Sequence, residues 1–101
     1  MDAHLDEMAS LLRGQFRNHL ERIIFFGSRA RGDASPESDF DSLLVFDEVT
    51  PVIKEQLNQL SSKWLLEKGI VFAWVALSAA DLKRLRYEPF LQNAQREGVA
   101  A

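Results

Sequence analysis

Three short runs of β-branched and aromatic residues, separated by segments of helical period, constrain this chain most. Ile23-Ile24-Phe25-Phe26 stops at Gly27, Asp39 to Phe46 resumes after a polar stretch, and Ile70 to Leu77 forms the third run. Each is too short for a helix of ordinary length and rich in residues that suit a pleated, buried surface, so each is expected to be a strand. Between them the spacing changes. Leu5, Met8, Leu12, Phe16 and Leu20 recur at helical intervals and predict one buried helical stripe, interrupted by Gly14. Thr50 followed by Pro51 marks a helix start, with Ile53, Leu57, Leu60 and Trp64 on its buried face and Gly69 placed to end it. Ser78 and Asp81 have the spacing of a capping box ahead of a helix carrying Leu82 and Leu85. Pro89 opens a last short helix with Phe90, Leu91 and Ala94 inward and Gly98 beyond its end. In the third run Ile70, Phe72 and Trp74 face one way and Val71, Val75 and Leu77 the other, which predicts a strand covered on both sides. The order describes a mixed α/β (α+β) chain with a small sheet of three to four strands packed with helices. At 101 residues, one domain spanning 1–101 is expected.

The chemistry concentrates between Phe26 and Val45, FGSRARGDASPESDFDSLLV. A buried strand ends in Gly27-Ser28 where a helical turn begins. The missing side chain at Gly27 lets a phosphate approach the backbone, N–H groups at a helix start favour anions, and the Ser28 hydroxyl adds a donor. Asp39 and Asp41 stand two apart on the next strand, so both carboxylates share one face, roughly 6–7 Å apart at the backbone, while Phe40 turns inward. Two carboxylates converging near a triphosphate can hold Mg²⁺ that bridges its oxygens. Arg29 and Arg31 could contact phosphates or pair with Asp33, Glu37 or a strand aspartate. His4 and His19 are isolated and expected at the surface, and Trp74 is open between core and partner surface.

Two other motifs fail on their own terms. Gly27 and Gly32 have P-loop spacing, but Asp33 stands where lysine is needed. A calcium loop starting at Asp39 lacks the required glycine and closing glutamate.

Gly27-Ser28-Arg29-Ala30-Arg31-Gly32 followed by Ser38-Asp39-Phe40-Asp41 resembles the signature of minimal nucleotidyltransferases of the DNA polymerase-β superfamily. The resemblance implies a polymerase-β-like fold, ATP as nucleotide substrate, Mg²⁺ held by Asp39 and Asp41 as the catalytic pair, and a triphosphate bound by Gly27, Ser28, Arg29 and Arg31. It further implies a helical HEPN-type partner, with this chain as antitoxin of a toxin-antitoxin pair and in some members as the enzyme that adenylylates that partner. Active members of the family add a third acid from a neighbouring strand. Here that strand reads IVFAWVAL and holds no carboxylate. Asp47 is ~20 Å along the strand from Asp41, and Asp81 is a helix-start residue. The alternative function is therefore a nucleotide-binding module that neutralises a partner by stoichiometric binding.

The remaining sequence narrows the setting. Twelve Lys and Arg against 15 Asp and Glu give a net charge of −3, which argues against a nucleic-acid backbone as partner. The chain has no cysteine, no basic secretion leader and no apolar run near the ~20 residues of a membrane span, so it is expected to be cytoplasmic and away from membranes. Larger relatives carry further domains that recognise an acceptor. The sequence ends at Ala101, so the acceptor is expected to come from a bound protein, in a homo- or hetero-oligomer.

Overall fold

The computed structural model describes residues 3–32, 35 and 39–101. Its elements are α1 (Ala3–Gln15), β1 (Leu20–Phe26), α2 (Gly27–Arg31), β2 (Phe40–Phe46), α3 (Pro51–Lys68), β3 (Phe72–Ser78), α4 (Ala79–Arg84), α5 (Pro89–Glu97) and β4 (Val99–Ala100). The strands form one mixed sheet in the order β3-β2-β1-β4. β1 runs antiparallel to β2 and β4, whereas β2 and β3 are parallel.

Alternation along the strands divides the core between the two faces of the sheet. Phe25, Phe40, Leu44, Phe46 and Phe72 pack with Leu5, Met8 and Leu12 of α1 and Ile53, Leu57 and Trp64 of α3. Ile24, Leu43 and Val45 on the other face meet Leu91 and Ala94 of α5, with Leu82 and Leu85 partly buried beside them. The caps are those the sequence predicts. The Thr50 hydroxyl accepts from the Ile53 N–H at 3.1 Å, and Ser78 Oγ accepts from the Asp81 N–H at 3.0 Å.

Three expectations need correction. The stripe Leu5–Leu20 is not one helix: α1 ends at Gln15, and Leu20 opens β1 opposite Phe46. The His19 and Leu20 N–H groups both donate to the Phe16 carbonyl at 2.9 Å, closing the helix into a turn while Phe16 stays buried. β3 begins at Phe72 and is not covered on both sides. It is the end strand of the sheet, and only Phe72 is fully buried, because α4 and α5 leave its second face half-open. Phe90 was expected inward and is 41% exposed, with its edge against Phe26 at 5.6 Å between ring centroids. Trp74 is half-buried against the α1/α3 core.

β4 was not foreseen as a separate element. A Cβ at Gly98 would collide with the Ala94 carbonyl and the Ile24 side chain, so glycine lets the chain leave α5 and lie directly against β1. Among the described residues no helix is long and apolar enough to cross a membrane.

Candidate nucleotide-binding site

The β1–α2 junction and the start of β2 meet at one end of the sheet. Phe26 pairs with Asp41 across the antiparallel ladder, which carries Gly27, the next residue, to the side of the Asp41 carboxylate. The contact is close. A Cβ built on Gly27 would overlap Asp41 Oδ2 and stand 3.3 Å from its Cγ. Gly27 also has φ +76°, a left-handed backbone that side-chain-bearing residues rarely adopt. Glycine is thus needed here twice, once for the turn and once for the carboxylate.

The helix that starts at Gly27 is short. Phe26 is its N-cap residue and offers no side-chain oxygen, so the first-turn N–H groups have no side-chain cap from it. Gly32 closes the turn in left-handed conformation, its N–H donating to the Ser28 carbonyl at 3.0 Å. Ser28, on the first turn, is half-buried beside these amides.

Asp39 is exposed and Asp41 half-buried. Burial raises the Asp41 pKa above the ordinary carboxylate value, the Asp39 charge raises it further, and Arg31 partly opposes both. Two acids that repel each other, one of them partly desolvated, favour a cation between them. Their hard oxygen donors suit Mg²⁺. Glycine at 27 lets the Asp41 carboxylate lie directly against the β1–α2 turn, so carboxylate oxygens and first-turn N–H groups adjoin, an arrangement that fits a metal–phosphate group.

The arginines divide. Arg31 forms an ion pair with Glu97 at the end of α5, Nη1 to Oε2 3.3 Å, a partner that sequence spacing had no means to supply. Arg29 lies over the Phe40 ring, 4.3 Å from guanidinium carbon to centroid. Both stay on the short helix that begins at Gly27. Asp33, Glu37, Pro36 and Ser38 lie outside the described residues. His4 is exposed as expected, yet its ring meets the edges of Phe40 and Trp64 at 5.9 and 6.1 Å. His19 pairs instead with Asp47, Nδ1 to Oδ2 3.0 Å, far along the sheet from the Asp41 end, and the hydrogen bond holds the Asp47 pKa below its usual value.

The strand register also locates what is missing. Asp41 is paired with Ala73 in the parallel ladder, so Ala73 is the β3 residue on the same face and nearest across. No cluster of three acidic or histidine side chains suited to a metal occurs among the described residues. A carboxylate at Ala73 would stand one strand spacing, about 4.8 Å, from the Asp41 backbone. Ala73→Asp is accordingly expected to tighten ATP binding at limiting Mg²⁺ by about tenfold, since affinity for a hard cation follows the number of charged ligands. Calorimetry across a Mg²⁺ series checks this, and an unchanged Mg²⁺ requirement would show that Ala73 does not face the site.

Comparison with known proteins identifies the family. Residues 5–92 match the family model described as nucleotidyltransferase domain. Two proteins of Methanocaldococcus jannaschii, both named as candidate protein adenylyltransferases, are similar along most of their lengths. One is 33% identical over 94 residues, covering 93% of this chain and 90% of its own. The other is 37% identical over 85 residues, covering 82% and 80%. A crystal structure of a candidate nucleotidyltransferase from Sulfolobus solfataricus superposes with a TM-score of 0.56 at 23% identity, over 95% of this chain and 74% of that one, and shares the fold. The chain belongs to the nucleotidyltransferase domain family, in its minimal polymerase-β-like form.

Proposed function

We propose that this protein transfers a nucleotidyl group from Mg·ATP to a hydroxyl of a protein partner. The observation that carries the reading is the Asp41 carboxylate seated against the α-carbon of Gly27, with Asp39 beside it and the start of α2 adjoining. In this reading Gly27 and Ser28 hold the β- and γ-phosphates through backbone N–H groups and the Ser28 hydroxyl. Asp39 and Asp41 hold Mg²⁺. When bound, that metal supplies neutralising charge on the phosphate oxygens as negative charge builds up on the leaving group. The acceptor oxygen forms a bond to the α-phosphorus, and the bond from that phosphorus to the oxygen bridging to the β-phosphate breaks. Pyrophosphate leaves with the electron pair and the hydroxyl proton passes to solvent; β3 itself offers alanine, not a carboxylate, at the position paired with Asp41.

A HEPN-type helical protein with an accessible tyrosine is the proposed partner, which makes this chain the antitoxin of the pair. The names of the two Methanocaldococcus jannaschii relatives support protein as the acceptor class. Incubation with such a partner and Mg·ATP is expected to add one adenylyl group per modified tyrosine, read as an intact-mass increase. An unchanged partner mass under saturating Mg·ATP would refute transfer.

One observation favours a second reading. With Ala73 opposite Asp41 the acid set among the described residues stops at two, as in a module that binds nucleotide but neutralises its partner by occlusion. In that case an Asp39→Ala, Asp41→Ala variant would neutralise the partner as well as the parent protein does.

A further inference from the structure

The open face of β3 continues the site beyond Asp41. Val75 and Leu77 follow Ala73 at intervals of two, so they share the face of Asp41, and both are half-exposed. With Leu85, Glu88, Phe90 and Leu91 they line a groove of about 330 Å³. Among the described residues, Glu88 is the one ionisable group in that lining.

Among the described residues no further strand pairs with the outer edge of β3. The Phe40 N–H donates to the Val71 carbonyl at 2.9 Å, and Ser61 Oγ donates to the Phe72 carbonyl at 3.2 Å from α3. Continuing this alternation, the peptide groups of Trp74 and Ala76 point away from β2, where no strand among the described residues pairs with them. The segment Phe72–Ser78, FAWVALS, carries no charge and no proline, the devices that usually blunt a free edge.

Sheet order gives the groove its direction. Gly27 and Ser28 follow β1 on one side of Asp41, and β3 lies on the other. With the leaving phosphates on Gly27-Ser28 and the α-phosphorus at Asp41, in-line displacement requires the attacking oxygen to arrive from the β3 side. Resting on the transfer reading above, we infer that the groove seats the acceptor: a polypeptide segment whose apolar side chains flank the reacting hydroxyl residue and lie along β3. A nucleoside fits the groove less well. Its ribose hydroxyls and base edges would be desolvated against a lining almost without polar partners, a cost that leucine or isoleucine side chains avoid. The peptide groups of Trp74 and Ala76, turned away from β2, offer backbone hydrogen bonds that a polypeptide can return.

The test is an NMR titration of the ¹⁵N-labelled full chain, first with Mg²⁺ and a non-hydrolysable ATP analogue, then with two nine-residue peptides. Each peptide carries a central tyrosine, flanked in one by Leu and Ile and in the other by Ser and Gln. The nucleotide is expected to move the Gly27 and Ser28 amides. The apolar-flanked peptide is expected to move those of Val75, Leu77, Leu85 and Phe90, and the polar-flanked one to leave them in place. Leu77→Lys and, as a milder variant, Phe90→Ser should each weaken the peptide at least tenfold while the nucleotide shifts at Gly27 and Ser28 persist. Nucleotide-induced shifts at Val75, Leu77 and Phe90 would make the groove a nucleoside subsite and overturn the inference. Peptide binding without preference, or insensitive to both variants, would overturn it too. Absence of nucleotide shifts at Gly27 and Ser28 would remove the transfer reading, and the inference with it, and is seen before any peptide is added.

Discussion

Gly27→Ala is expected to weaken Mg·ATP binding roughly 10- to 100-fold while lowering the melting temperature by about 4–16 °C. The two effects have separate causes. A left-handed backbone costs a residue with a Cβ about 1–2 kcal/mol, which for a domain of this size corresponds to about 4–8 °C per kcal/mol. The added methyl collides with the Asp41 carboxylate, with Cγ 3.3 Å away, so the Asp41 side chain must swing aside. Swinging aside removes a charged ligand from the site. A lost charge-assisted contact of about 1.5–3 kcal/mol gives the predicted change in affinity. Thermal melts and calorimetry on the same preparation check both numbers. A variant that loses stability but binds Mg·ATP normally would show that Asp41 does not need its place beside Gly27.

Asp41→Asn should divide stability from function in the opposite sense. The folded-state pKa of Asp41 is raised, first by burial and then by Asp39, with Arg31 opposing. A raised carboxyl pKa means that the folded chain holds the proton more tightly than the unfolded one. Its favourable contribution is therefore present at acid pH and lost as pH rises through the folded value, so at neutral pH the ionised group is a cost. Asparagine removes that cost. The variant is expected to melt higher than the parent at pH 7 without metal, with the advantage shrinking as pH falls through the raised folded-state value and the parent carboxyl takes up its proton. Its Mg·ATP affinity should fall by at least about a hundredfold, since a neutral amide is a poor replacement for a charged metal ligand. A melting temperature below the parent's across the whole pH range would contradict the assigned burden on Asp41.

The parts of the fold that the sequence disclosed are those decided locally. Thr50-Pro51, Ser78 with Asp81, and the apolar positions of α3 act within a few residues of themselves, and each is found where its chemistry requires. Gly27 and Asp41 were legible for a related reason: a glycine after a buried strand and two acids at a period of two carry their geometry with them. What escaped depends on partners distant in sequence. Leu20 continues the apolar spacing of α1, but pairing with Phe46 takes it into β1. Both parities of Ile70–Leu77 are apolar, which looks like a central strand. The register instead makes β3 the edge and leaves the face of Val75 and Leu77 half-open. Ala73 carried no signal of its own, since its position across from Asp41 is set by the parallel ladder alone. The ion pair of Arg31 with Glu97 spans the chain and depends on α5 folding back toward α2.

The central claim is that Gly27, Ser28, Asp39 and Asp41 form a metal-dependent triphosphate site, and isothermal titration calorimetry of ATP into the full chain tests it most directly. The titration is run with Mg²⁺ and with EDTA, on the parent protein and on Asp41→Asn. Saturable binding that requires Mg²⁺ and disappears in a folded Asp41→Asn variant is the predicted result. No heat of binding from the folded parent at millimolar ATP with Mg²⁺, or equal binding by the parent and Asp41→Asn, would contradict it.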